Sequence, residues 1–288
     1  MGAQELTRVK EVADKVASKS VEKSIDAAKT DIEKNERPMS VSTESKRKEG
    51  GVAEGGRVVI HALLIALVIR TLLFQPFNIP SGSMKATLLI GDYLFVSKYS
   101  YGYSHYSLPL SPPLFSGRIF GSTPERGDVV VFRLPKDDST DYIKRVIGLP
   151  GDRIKMVDGL LHINGAPVKR ERVADFIDDE NGGAERVRRW RETLPNGVSY
   201  QSLDLQDNGF LDNTQEYVVP AGHYFMMGDN RDNSTDSRVL SAVGYVPFEN
   251  LIGKAQIIFF SIGDGEPAWH IWSWPWSVRW NRLFTIVR

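Results

Sequence analysis

From Val58 to Phe77 the chain reads VVIHALLIALVIRTLLFQPF, an almost unbroken apolar run. Coiled into a helix, about 20 such residues span about 30 Å, the thickness of a bilayer's hydrocarbon core. His61 and Arg70 interrupt the run, and Arg70 lies near its far end, where a long side chain can snorkel to the headgroups. Two other homes exist for such a segment, a buried core helix and a removable leader. A leader fits poorly, because the run starts deep in the chain and no small-residue cleavage site follows before Pro76. Lys46, Arg47, Lys48 and Arg57 precede the run closely, which by the positive-inside rule leaves the N-terminal side in the cytoplasm and everything after Phe77 outside.

This divides the chain into a charged segment 1–56, an anchor 57–77 and an outer domain 78–288. The first segment is rich in Ser, Lys and Glu. Val9, Val12, Val16, Ile25, Ala28 and Ile32 give it only a weak helical stripe, so it reads as a frayed helix or a disordered tail. Met39 opens a second plausible start. Beyond the anchor, runs of β-branched and aromatic residues bounded by Gly, Pro and Asp predict strands at 93–96, 128–132, 142–147, 153–157, 160–163, 216–219, 224–227 and 251–262. Long amphipathic helical patterns are missing. The expected fold is mainly β: several antiparallel sheets, an inserted β-rich subdomain at 158–215, and one transmembrane helix in front. Residues 103–126, rich in Ser, Pro and Gly, read as a surface loop.

Five of the six tryptophans (Trp269, Trp272, Trp274, Trp276 and Trp280) fall at 268–288, interleaved with Arg279, Arg282 and Arg288. Indoles favour the membrane interface, where one edge is apolar and the N–H meets water. An aromatic patch packed on a sheet is the other reading, and the two are compatible.

Composition removes several function classes. Lys and Arg total 36 against 36 acidic residues, so the chain lacks the global basic field of a nucleic-acid binder. With no cysteine there are no disulfides, no thiol catalysis and no Cys-based zinc site. The five histidines are scattered and form no HExxH pair, which speaks against a metal, and no P-loop or GxSxG elbow is present. No cofactor is called for.

Two short stretches carry chemistry. Pro80-Ser81-Gly82-Ser83-Met84 sets a serine on a Gly-containing bend, and Tyr142 to Asp152 (YIKRVIGLPGD) sets Lys144 in an apolar run. A serine hydroxyl needs a base, and no histidine lies in a suitable motif. Lysine is a poor base at its ordinary pKa of about 10.4, since holding it neutral at pH 7 costs about 4.6 kcal/mol. Burial lowers a lysine pKa by up to about 3–5 units. Tyr142, Ile143, Val146 and Ile147 offer such surroundings, and strand alternation turns Arg145 to the opposite face, where it can find its own carboxylate. Taken alone, a lysine in a strand reads as an exposed edge residue.

These two boxes and a third, Gly228 to Arg238 (GDNRDNSTDSR), follow an anchor in an order that closely resembles the bacterial type I signal peptidases, or leader peptidases. The resemblance runs from about Ala62 to the end of the sequence. It implies a membrane-bound serine endopeptidase that cuts signal peptides from secreted preproteins. Ser83 would be the nucleophile and Lys144 the general base, with Ser81 contributing to the oxyanion hole and Ser234 orienting the lysine amine. By the same resemblance Asp229 pairs with Arg145, and Asp236 with Arg238, as structural support. Ile79, Met84, Leu88, Tyr142 and Ile143 would wall two small substrate pockets. It further implies a single-pass protein of the inner membrane with its catalytic domain on the periplasmic side. The implied partners are signal-peptide-bearing preproteins, the lipid bilayer and the secretion machinery. Two departures stand out: Ala86 replaces the family's usual proline, which would loosen the turn after Ser83, and one span is visible where some relatives have two. The alternatives are a Ser-Lys autoprotease regulator, which would need a helix-turn-helix, and a catalytically silent membrane-binding module.

Overall fold

The computed structural model describes Lys15, Ser18 and residues 51–178, 183–263 and 266–288. Nearly all of the expected 1–56 segment, its weak stripe and Met39 included, lies outside the described residues. The chain divides into one unit up to Arg57 and another from Val58 to Arg288, and all the sheets belong to the second.

Helix α1 runs Gly51–Leu72 and its side chains from Glu54 to Arg70 are exposed, which removes the buried-core-helix reading. Among the described residues it is the one helix long and apolar enough to cross a membrane. Its bounds correct the expected 57–77. The helix starts earlier and stops at Leu72, because Pro76 lacks an N–H and disfavours helix in the residue before it. Phe74–Asn78 instead forms strand β1.

The strands follow in chain order: β1, β2 (Asp92–Ser97), β3 (Val129–Arg133), β4 (Asp141–Gly148), β5 (Arg153–Val157), β6 (Leu160–Ile163), β7 (Ala166–Pro167), β8 (Lys169–Arg172), β9 (Phe176–Asp178), β10 (Glu185–Thr193), β11 (Ser199–Asp204), β12 (Tyr217–Val218), β13 (His223–Met227), β14 (Val246–Pro247), β15 (Leu251–Ser261) and β16 (Thr285–Ile286). The main sheet has the order β1-β2-β15-β3-β4-β13-β14, with β16 on β15. Its ladders are antiparallel, with Phe74 facing Ser97, Lys144 facing Val130 and Arg145 facing both Val129 and Met227. Two four-stranded sheets, β12-β5-β6-β7 and β11-β10-β8 with β9 on β10, complete the framework. The expected 158–215 insert thus contains all of β6–β11, but its first strand pairs back to β5, outside that range.

Three apolar clusters hold the sheets together. Leu94, Val96, Val131, Ile252 and Ile258 bury one face of the main sheet, and Phe132, Val146, Met226 and Leu251 belong to a second cluster. Ile154, Leu161, Leu194, Tyr217 and Phe225 join the main sheet to its neighbours. At about 1.5–3 kcal/mol per fully buried large side chain, these clusters supply the main drive for folding. In the tryptophan-rich end, Trp274 opens the short helix α2 (Trp274–Ser277), lies 5.1 Å from the Phe260 ring and donates its N–H to Ala268 O at 3.0 Å. Trp269, Trp272, Trp276 and Trp280 are exposed.

Candidate active site

Ser83 stands in a single 3-10 turn, Gly82–Met84, entered through an extended Ser81. The turn is locked from behind. Asn230 N–H donates to Ser83 O and Asn230 Nδ2 to Gly82 O, each at 3.1 Å. Lys85 N–H donates to Gly82 O, and Thr87 and Leu88 N–H to Met84 O, at 2.8–3.1 Å.

Lys144 comes from β4, 61 positions along the chain, and its Nζ lies 2.7 Å from Ser83 Oγ. It also donates to Ile143 O at 3.0 Å and sits 5.2 Å from the centre of the Tyr142 ring. Only 4% of the Lys144 residue surface is exposed. Burial pushes its amine down from 10.5 to about 8, with Asp236 and Asp229 pulling weakly the other way. Keeping it neutral at pH 7 then costs about 1.4 kcal/mol, near a third of the ordinary figure.

The opposite face of β4 carries Arg145, fully buried and forked onto Asp229, with Nε to Oδ1 at 2.8 Å and Nη2 to Oδ2 at 2.7 Å. Thr87 Oγ donates to the same carboxylate, and the guanidinium lies over the Tyr200 ring at 4.3 Å. Asp236 and Arg238 form a second buried fork at 2.8–2.9 Å. Burial pushes the Asp236 carboxyl up, but Arg238 and the Gly228 N–H outweigh it and hold the carboxyl below the usual range. Buried ion pairs cost desolvation, and these offset it with paired charge-assisted hydrogen bonds.

A cavity of about 480 Å³ opens over the pair, lined by Ser81, Ser83, Tyr142, Lys144 and Ser234 together with Phe210 and Leu211 from the loop after β11. Ser81 Oγ is 3.5 Å from Ser83 Oγ. Ser234 Oγ is buried in the cavity wall, where its hydroxyl helps to hold the Asp236 carboxyl down, and the expected hydrogen bond to Lys144 is not made among the described residues. Of the expected pocket residues, Tyr142 reaches the cavity. Ile79, Met84 and Leu88 are core side chains beneath the turn, and Ile143 packs against that same cluster.

Three features of the site were not foreseen. A Cβ on Gly228 would stand 2.2 Å from Ser234 Oγ and 2.6 Å from Ser83 O, so only glycine lets these two approach. Glu192 on β10 forks onto Arg231 at 2.7–2.8 Å and accepts from Tyr200 and Ser202, tying the β8–β11 sheet to the third box. Lys85 donates to both Asp178 carboxylate oxygens at 2.8–3.0 Å. Of these residues, Gly228 and Arg231 fall within the third box of the sequence, whereas Glu192 and Asp178 lie outside every box.

A desolvated amine in contact with a serine hydroxyl, in a cleft beside a strand, can perform nucleophilic acyl transfer. Known proteins agree with that class. The family model described as signal peptidase, peptidase S26, matches residues 52–260, and the chain belongs to this family. Signal peptidase I of Rickettsia conorii is 48% identical over 239 residues, covering 77% of this chain and 88% of the relative. That of Rickettsia canadensis is 48% identical over 263 residues, covering 85% and 97%. A crystal structure of a signal peptidase I from Enterococcus faecalis is 27% identical and covers 46% of this chain and 97% of its own, with a TM-score of 0.29.

Proposed function

We propose that this chain is a membrane-anchored serine endopeptidase that removes signal peptides from preproteins, with Ser83 as nucleophile and Lys144 as general base. The observation that carries the roles is the 2.7 Å contact between an amine pushed down to about 8 and a hydroxyl in an open cavity. Neutral Lys144 accepts the Ser83 proton as Oγ bonds to the scissile carbonyl carbon. The C–N bond then breaks, the amine leaves with that proton, and water hydrolyses the ester. Ser81 Oγ and the Ser83 N–H are the donors suited to the oxyanion, each worth about 2.7–4 kcal/mol.

Substrate joins as an extra strand. Residues 141–144 of β4 pair with β3 on one side and with nothing on the other among the described residues, because β13 meets β4 only from Arg145 onward. An extended peptide laid on that open edge presents alternate side chains to the cleft. Helix α1 holds the enzyme in the inner membrane with residues 78–288 on the periplasmic side, near the secretion machinery, and the exposed indoles of 268–288 rest on the lipid surface. The β8–β11 region is an inserted subdomain that braces the site through Glu192 and Arg231.

A serine-directed acylating probe, read by intact-mass spectrometry on the detergent-solubilised chain, tests this. One adduct, mapped to Ser83 and lost in Lys144→Met, is the expected result. An adduct elsewhere, or none, leaves the silent binding module as the reading.

A further inference from the structure

A second cavity of about 480 Å³ lies away from Ser83, lined by Arg70, Lys98, Tyr106, Arg133, Asp138 and Asp141 among others. Its charges do not balance. Arg133 is paired with Asp141 at 3.1 Å, and Asp138 accepts from Tyr106. Arg70 and Lys98 make no ion pair among the described residues, although Lys98 is only 3% exposed and its amine hydrogen-bonds there to Ser107 O alone, at 2.6 Å. Burial, then the nearby charge of Arg70, push the Lys98 amine down to about 8, with Asp141 pulling up. The lining sets three cations, Arg70, Lys98 and Arg133, against two carboxylates, Asp138 and Asp141, and a desolvated lysine beside this excess of positive charge is costly unless an anion completes the set.

The position of the cavity says which anion. Arg70 belongs to the last turn of α1, the level at which a spanning helix leaves the hydrocarbon. The negative end of the helix dipole there would oppose an anion. That end is capped: Leu72 O accepts from Tyr103 OH at 2.7 Å, and Leu73 O from Lys98 N–H at 3.0 Å. We propose that this cavity binds the phosphodiester headgroup of an anionic membrane lipid, held between Arg70 and Lys98 with the Ser111 hydroxyl beside it. The site lies at the start of β4, so an occupied headgroup pocket fixes the open strand edge at a set height above the bilayer. The inference rests on the membrane anchoring proposed above.

The test reconstitutes the full chain in phosphatidylcholine nanodiscs doped with fluorescent phosphatidylglycerol and reads lipid retained after exchange. Co-purification with the disc reports anchoring separately, so loss of the chain from discs overturns the anchor, while indifferent lipid retention overturns the pocket alone. Saturable retention of phosphatidylglycerol over phosphatidylcholine is expected. Arg70→Gln with Lys98→Gln should weaken it about thirtyfold, at about 1 kcal/mol for each basic residue near an anionic surface. Lys155→Gln, which removes an exposed charge on β5, should not change it. Equal retention in the double variant overturns the proposal. So does glycerol 3-phosphate binding as tightly as the lipid, which would make this a free-phosphate site. A double variant that raises KM for a preprotein while retaining lipid normally would assign the cavity to the preprotein and also overturn it.

Discussion

Lys144 and Lys98 are both buried, both line cavities of about 480 Å³, and both have amines pushed down to about 8 chiefly by burial. Their nearest partners differ. Lys144 faces a hydroxyl at 2.7 Å, whereas Lys98 faces a main-chain carbonyl at 2.6 Å. A carbonyl has no proton to give, so desolvation alone makes a lysine ready to release its charge without making it a base. The frames differ too. Behind Lys144 stand two fully buried forks, Arg145–Asp229 and Asp236–Arg238, while Lys98 has only the half-buried Arg133–Asp141 pair nearby. A rigid polar frame suits a group that must meet one atom, and an unbalanced, more open cavity suits one that receives a ligand.

The largest effect comes from erasing the difference at the hydroxyl. Ser83→Ala leaves Lys144 as proton-poor a neighbourhood as Lys98 has, and Lys144→Met leaves the serine without a base. Each should lower kcat/KM on a preprotein by about four orders of magnitude or more, and the double variant should be no worse than either single one. Measurable turnover in Ser83→Ala would break the comparison outright.

Next is the frame. Asp229→Ala strands a buried guanidinium and should cost about 3–5 kcal/mol in chemical denaturation. Asp141→Ala, beside Lys98, should cost less, because the Arg133 side chain it releases can reach water. Equal losses would mean that the two frames do not differ in kind. A smaller effect is expected for Gly228→Ala, whose methyl must displace Ser234 or the Ser83 carbonyl. Overpacking of this sort costs about 1–3 kcal/mol. It should lower kcat more than it raises KM, which single-turnover kinetics would separate.

How much of this was legible in the sequence depended on how local the cause is. The runs at 93–96, 142–147 and 251–262 form strands as expected, because alternation and β-branching report directly on a half-buried ladder. The anchor's end was overrun, since Phe74 and Phe77 are as apolar as a helix residue, and only pairing with β2 shows their other use. Strands β8 and β10, KRER and ERVRRWRET, hardly show as strands. Arg170 and Arg172 of β8 cover Trp190 of β10 with their guanidinium groups, at 4.1 and 5.4 Å from the ring centre, in place of an alternating apolar pattern. In the site, the serine and lysine boxes stood out, whereas the role of Gly228 depends on two segments meeting in space. The burial of Met84 and Leu88 beneath the turn was likewise hidden, because a pocket wall and a core share one vocabulary of residues.

The central claim is that Lys144, and not burial of lysine in general, supplies the base. Its most direct test is kcat/KM for a soluble peptide from about pH 6 to about pH 10, in the parent chain and in Lys98→Gln side by side. The neutral amine is the active form, so the rate should rise with pH and level off above an apparent pKa of about 8, as burial of Lys144 requires. The midpoint should be the same in both proteins. A flat profile, a midpoint near the ordinary 10.5, or a limb that vanishes with Lys98→Gln would contradict the assignment.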